Sequence, residues 1–292
     1  MQSNRATEKN KKGLLGLLFL APSLLGVCIF VLLPFADVVR RSFLDAMGNQ
    51  FTGSRNYKNV LQNEAFRLAA GNTVKFMLVC IPVLLLLSLV CALLINQRKV
   101  YQEFFKTTFL FPMAIPVASV VLLWRLFLDQ NGFFNEAIKF FGLSTVNWMN
   151  SDKAFGVLVF TYLWKNTGYD MILWLAGLAA IPKERYEAAS VDGAGKWQCF
   201  RYVTLPGLRS SVFVIGILSL VNCFKVFREA YLIAGDYPHE SIYMMQHLFN
   251  NWFVSLDIQK MTAASVMMAL VMILIMSMVW YRNERSREWE EG

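Results

Sequence analysis

The sequence predicts an all-α integral membrane protein with six transmembrane helices, and three observations carry that prediction. Charged residues make up 16% of the 292 residues, against about 25% in soluble globular domains, while apolar residues reach 56%. Runs at 13–35, 76–97 and 261–281 are free or nearly free of charge. Each is long enough, at about 1.5 Å per residue, to cross a hydrocarbon core of about 30 Å. Lys and Arg are also denser in alternate connections, the bias that orients membrane proteins.

Residues 1–12, with Arg5, Lys9, Lys11 and Lys12, form a basic cytoplasmic tail. The first helix, 13–35, outlasts a signal-peptide core of about 7–15 residues and is followed by no small-residue cleavage site, so it is read as a retained span. An extracytoplasmic connection, 36–72, turns at Gly48-Asn49 and Gly53-Ser54. The second helix covers about 73–96. A third, about 107–128, holds Pro112 and Pro116 at a depth where proline kinks a helix, either beside a pathway or as ordinary packing. An outside stretch turns at Asn131-Gly132 and carries Trp148, the kind of residue that settles at a membrane interface.

The fourth helix, about 155–180, contains Lys165 and Asp170. Each costs roughly 2.5–3.5 kcal/mol at the centre of an isolated span, so both should face the bundle interior, water or a partner. Five residues apart, they sit about 140° apart around the helix, which disfavours a direct pair; Asn166 with Asp170, or Lys165 with Tyr169, are better same-face neighbours. The fifth helix, about 208–234, shows Ser219, Asn222 and Val226 at one helical stripe, and Asn222 is either interhelical glue or a ligand for hydroxyl groups. The sixth, about 261–281, leads to a charged tail, 282–292. Both termini and the polar stretch between the fourth and fifth helices then face the cytoplasm, and the net charge of +8 follows from topology without nucleic acid as a partner. With no repeat in the sequence, the chain reads as one six-helix domain with tails.

That polar stretch, 183–207, is the feature left unexplained by membrane insertion. Lys183 to Ala189 is a good helix former, Asp192-Gly193 supplies a sharp turn, Lys196 to Tyr202 forms a second short helix, and Leu205-Pro206 ends it. Ala188, Ala189, Val191, Trp197, Phe200 and Val203 would then be exposed to water, which calls for a docking partner. Gly193-Ala194-Gly195-Lys196 echoes a phosphate-cradling loop, but that motif needs a glycine where Ser190 stands and a hydroxyl residue where Trp197 stands. His239 and His247 read as surface residues with poor metal spacing, and Cys28, Cys80, Cys91, Cys199 and Cys223 as small hydrophobes rather than ligands. No catalytic constellation is present in the sequence.

Glu187-Ala188-Ala189, Gly193, Val203 and Leu205-Pro206 match, at the same spacing, the EAA loop of ABC-transporter membrane subunits, and the chain resembles that family over nearly its whole length. The segments Trp164-Lys165-Asn166-Thr167-Gly168-Tyr169, Ala176-Gly177-Leu178 with Ile181-Pro182, Phe224-Lys225-Val226-Phe227, Asn131-Gly132 with Asn135, and Ala21-Pro22 with Leu33-Pro34 are similar to its carbohydrate-importing branch, which includes the maltose and glycerol-3-phosphate permeases. The resemblance implies a type-1 ABC importer permease core over 73–281, in a bacterial or archaeal cytoplasmic membrane. It implies ATPase coupling through Glu187, Ala188, Ala189, Asp192, Gly193, Leu205 and Pro206. It also implies a substrate pathway around Trp164, Lys165, Asn166, Tyr169, Ser219, Asn222, Cys223 and Val226. Cys223 and Val226 depart from the more polar residues of the maltose branch, so the substrate is left open between a sugar or oligosaccharide and another organic solute such as a polyol or a glycerophosphate-type anion. The implied partners are a second, non-identical permease subunit, two cytoplasmic ATPase subunits that bind ATP and Mg, and an extracytoplasmic solute-binding protein. The chain itself is expected to bind no cofactor and to be no enzyme.

Overall fold

The computed structural model describes residues 19–97, 101–224, 226–235 and 237–291. The basic tail, the start of the first predicted helix, Arg98, Lys99 and Lys225 lie outside the described residues. The helices are α1 (Phe19–Ser42), α2 (Arg55–Gln62), α3 (Glu64–Asn96), α4 (Gln102–Ala114), α5 (Val117–Leu128), α6 (Phe133–Phe140), α7 (Lys153–Ala180), α8 (Lys183–Val191), α9 (Lys196–Cys199), α10 (Leu205–Gly207), α11 (Arg209–Phe224), α12 (Phe227–Ala234), α13 (Met245–Val254) and α14 (Ile258–Glu291). Among the described residues there is no strand, only an isolated antiparallel bridge between Leu44 and Phe51.

Four helices are long and apolar enough to cross a membrane: Phe19–Ser42, Glu64–Asn96, Arg209–Leu232 and Ile258–Arg282. A bent pair makes a fifth crossing if its two arms form one span. The expected six are therefore not reproduced one for one. The remaining long helix, α7, has 28 residues but includes Lys165 and Asp170. The bent pair falls in the run predicted as one kinked helix, 107–128. Ile115 takes an extended conformation (ψ 128°) ahead of Pro116, as the residue before a proline prefers, and the two arms meet at 86°. Two bounds differ more widely from expectation. The connection expected at 36–72 is largely helical, because α1 continues to Ser42 and α3 begins at Glu64.

The described residues divide into two compact units. The first comprises Met1–Asn63 and Trp252–Met272. In it a π-helical turn, Cys28–Leu32, precedes Pro34, whose ring has no N–H for the helical ladder. Below α1, Asn56 Nδ2 donates to the carbonyls of Ser42 (2.9 Å) and Leu44 (2.7 Å), and Ser42 Oγ meets the Tyr57 hydroxyl at 2.6 Å. Asp45 accepts the N–H groups of Gln50 and Asn49, which hold its carboxyl below the usual carboxylate pKa.

The second unit comprises Glu64–Asn251 and Ile273–Gly292. There α7 packs against α3, α4 and α11, while α12 packs against α5. One apolar cluster joins Phe76, Cys80 and Leu84 of α3 to Leu158 and Tyr162 of α7; a second joins Met171, Trp174 and Leu178 of α7 to Leu208 and Ile215. The buried Trp174 indole donates to Ser88 Oγ at 2.9 Å, satisfying the polar end of an otherwise apolar side chain. Gly168 allows α4 to approach α7 at backbone level: a Cβ there would lie 1.9 Å from the Phe109 carbonyl oxygen. This is the small-residue contact by which membrane helices pack closely.

One expectation about the connections is corrected. His247, read as a surface residue, is fully buried; its Nδ1 accepts the Met244 N–H at 3.2 Å and its ring stacks on Tyr243. Thr73 Oγ1 accepts the Met245 N–H and Asn72 donates to the Tyr243 carbonyl, so α3 fixes this segment. Trp148 donates to Asn135 Oδ1 at 3.3 Å.

Candidate functional site

Two regions of the second unit bring together the residues singled out by sequence. The first lies where α7 meets α11 and α12. Lys165 and Asp170 do not pair with each other, as the helical geometry anticipates, but neither do the suggested same-face neighbours form. Lys165 Nζ lies 3.1 Å from Glu229 Oε1, with the two side chains only 10% and 14% exposed. Asp170, fully buried, accepts a hydrogen bond from Ser219 Oγ at 2.8 Å. Asn166 Nδ2 turns back to its own helix, donating to the Tyr162 carbonyl. Tyr162 completes the network, its hydroxyl 3.4 Å from the Ser219 carbonyl and 3.3 Å from Cys223 Sγ.

Helical spacing explains this convergence. Tyr162, Lys165 and Asp170 recur along one broad side of α7, and Ser219 and Cys223 are one turn apart on α11, so two facing stripes interlock. Val226 is the turn residue that precedes α12. Gln246 donates its amide to the Phe224 carbonyl. Ser219, Cys223 and Val226 are buried in the packing, whereas Trp164, Asn166, Tyr169 and Asn222 keep partial exposure. Trp164 also stacks edge-on against Trp124 and lines an apolar cavity of about 390 Å³ with Phe109 and Thr167.

Sequence reasoning did not assign Glu229 or Tyr162 to this site. Glu229 was readable as a carboxylate late in an apolar run, but its partner stands 64 residues away and no local spacing links them.

The second region is the loop between α7 and α11. α8 ends in a Schellman cap: the Gly193 N–H donates to the Ser190 carbonyl (3.1 Å) and the Ala194 N–H to the Ala189 carbonyl (2.9 Å). Gly193 has φ +76°, the left-handed region where side chains are strained. Gln198 Oε1 then accepts the Gly195 N–H at 2.7 Å, starting α9. The second short helix predicted over 196–202 is α9 followed by a π-helical turn, Phe200–Thr204; Leu205-Pro206 opens α10 rather than ending a helix, as proline suits a first helical turn. At the base, the Tyr186 hydroxyl and Thr204 Oγ1 lie 3.0 Å apart, and Gly207 abuts Ile181.

Glu187, Ala188, Asp192, Gly193, Leu205 and Pro206 are exposed and Ala189 is half-buried. Val191 is 88% and Trp197 70% exposed, so the knob carries apolar side chains in the open. Val203, expected among them, is instead partly buried against the core around Trp174. Among the described residues no group of three or more His, Cys, Asp or Glu side chains is placed to hold a metal ion.

A family model described as "Binding-protein-dependent transport system inner membrane component" matches residues 84–286. The chain is 31% identical over 294 residues to the trehalose/maltose transport system permease protein MalF of Thermococcus litoralis, covering 98% of this chain and 99% of that protein. It is 29% identical over 283 residues to the sulfoquinovosyl glycerol transport system permease protein SmoG of Agrobacterium fabrum, covering 94% and 92%. In fold it resembles a chain from the crystal structure of a bacterial ABC transporter involved in the import of the acidic polysaccharide alginate, with TM-score 0.82, 23% identity, and 96% and 99% of the two chains covered.

Proposed function

Because the chain belongs to the binding-protein-dependent transport system inner membrane component family, we propose that it is the multi-pass permease subunit of an ATP-driven importer that translocates a sugar or oligosaccharide. In this reading a solute-binding protein delivers the substrate outside, a second, non-identical permease completes the pathway, and two cytoplasmic ATPase subunits carry ATP and Mg. α7 is the additional span that brings the count to six, and both termini are cytoplasmic. The chain hydrolyses nothing itself.

The observation that carries the coupling role is the knob at 183–207. It is capped at Gly193, tied at its base by Tyr186 and Thr204, and rooted in α7 and α11, the helices that hold the polar network. A rigid knob with Val191 and Trp197 exposed is suited to sit in an apolar cleft on an ATPase and pass its movement to those helices. Glu187, Ala188, Ala189, Asp192, Leu205 and Pro206 shape that contact.

Substrate is assigned to the partly exposed Trp164, Asn166, Tyr169 and Asn222, since amides, a phenol and an aromatic face suit polyhydroxylated rings. Lys165 supports a neutral sugar over an anionic solute, because Glu229 already serves as its counter-ion. Uptake by the complete importer in proteoliposomes, with neutral and anionic sugars as competitors, tests this. Neutral sugars are expected to compete and Asn222→Ala to lower their uptake; competition by anionic sugars alone would contradict the assignment.

A further inference from the structure

Beyond the transport reading, α3, α11 and the C-terminal part of α14 enclose an open groove of about 790 Å³. Its walls are apolar, with Leu85, Phe213, Ile217 and Ile275 among them, and two arginines, Arg209 and Arg282, are the charged residues in its lining. Arg209 begins α11, and Arg282 ends the apolar stretch of α14. Consecutive spans run in opposite directions, so these two positions share one side of the membrane. From Arg209 to Leu220 the groove follows α11 for about 16 Å, at 1.5 Å per residue, which is close to half of a hydrocarbon core of about 30 Å.

We propose that this groove is a binding site for one anionic phospholipid of the leaflet on that side, with acyl chains along the apolar wall and the phosphate held by Arg209 and Arg282. An apolar trough one leaflet deep, with cations only at its headgroup end, has the charge distribution of such a lipid turned inside out. Guanidinium forks match phosphate oxygens bidentately, and basic pockets between transmembrane helices hold anionic headgroups. A helix of another chain would match the apolar wall, whereas an anionic lipid matches both that wall and the two cations at one end of it.

The test uses the complete complex, delipidated in detergent and titrated with dioleoyl phosphatidylglycerol or dioleoyl phosphatidylcholine, with bound lipid counted by native mass spectrometry. Phosphatidylglycerol is expected to be retained selectively, and excess inorganic phosphate is expected not to displace it. R209Q/R282Q should weaken retention roughly 25-fold, near fivefold per arginine. Ile217→Trp, which keeps both arginines and fills the groove, should also abolish it, and it decides the question if the double variant fails to assemble. Equal retention of phosphatidylcholine, displacement by inorganic phosphate, or unchanged retention in the variants overturns the proposal. Cross-linking of Leu220→Cys to a second permease chain overturns it as well.

Discussion

Lys165 and Glu229, 64 residues apart in sequence, form an ion pair of 3.1 Å that joins α7 to α12. Neither charge is tolerable alone at this burial. Glu229→Gln should therefore destabilise the protein by about 3 kcal/mol, because removing one partner leaves the other uncompensated. Replacing both, as Lys165→Met with Glu229→Leu, should recover most of that loss. Thermal unfolding of the detergent-solubilised protein reads both; a double variant no better than Glu229→Gln alone would show that the pair is not the cause.

Gly168→Ala should lower stability by about 1–3 kcal/mol, since the added methyl meets backbone, the Phe109 carbonyl, rather than a movable side chain. Gly156→Ala on the same helix meets nothing within 4 Å and should be neutral or mildly stabilising. Comparing melting temperatures of the two separates close helix approach from simple helix propensity.

Asn135 is fully buried and uses all of its amide: Nδ2 donates to the carbonyls of Asp129 and Val146, and Oδ1 accepts from the Val146 N–H and Trp148 Nε1. Asn135→Asp keeps the shape but loses two donors and sets a carboxylate against two carbonyls. The connection over 129–150 should open, seen as faster amide exchange there with α3 and α7 unchanged. Exchange indistinguishable from the parent protein would remove Asn135 from its organising role.

These residues show what a sequence can and cannot carry. The apolar runs located the long helices, since a span is a property of some twenty consecutive residues, and the loop over 183–207 was legible because capping and turn chemistry are local. Pro112 and Pro116 announced a distortion, but whether a helix kinks or folds over by 86° depends on its neighbours. The partners of Lys165, Asp170 and Asn135, and the burial of His247, were set by packing between segments distant in sequence. The burial of Cys223 and Val226, grouped with the pathway by resemblance, is set in the same way.

The central claim is that the loop rooted in α7 and α11 transmits movement from ATPase subunits to the polar network above it. Gly193 is its most exposed point of dependence, since valine at φ +76° is strained by about 1–2 kcal/mol while open space around the residue spares the rest of the fold. The direct measurement is ATP hydrolysis by the complete complex in proteoliposomes, with and without loaded solute-binding protein, for the parent chain and Gly193→Val. The account predicts normal insertion and assembly with loss of substrate-stimulated hydrolysis; stimulation equal to that of the parent chain would contradict it.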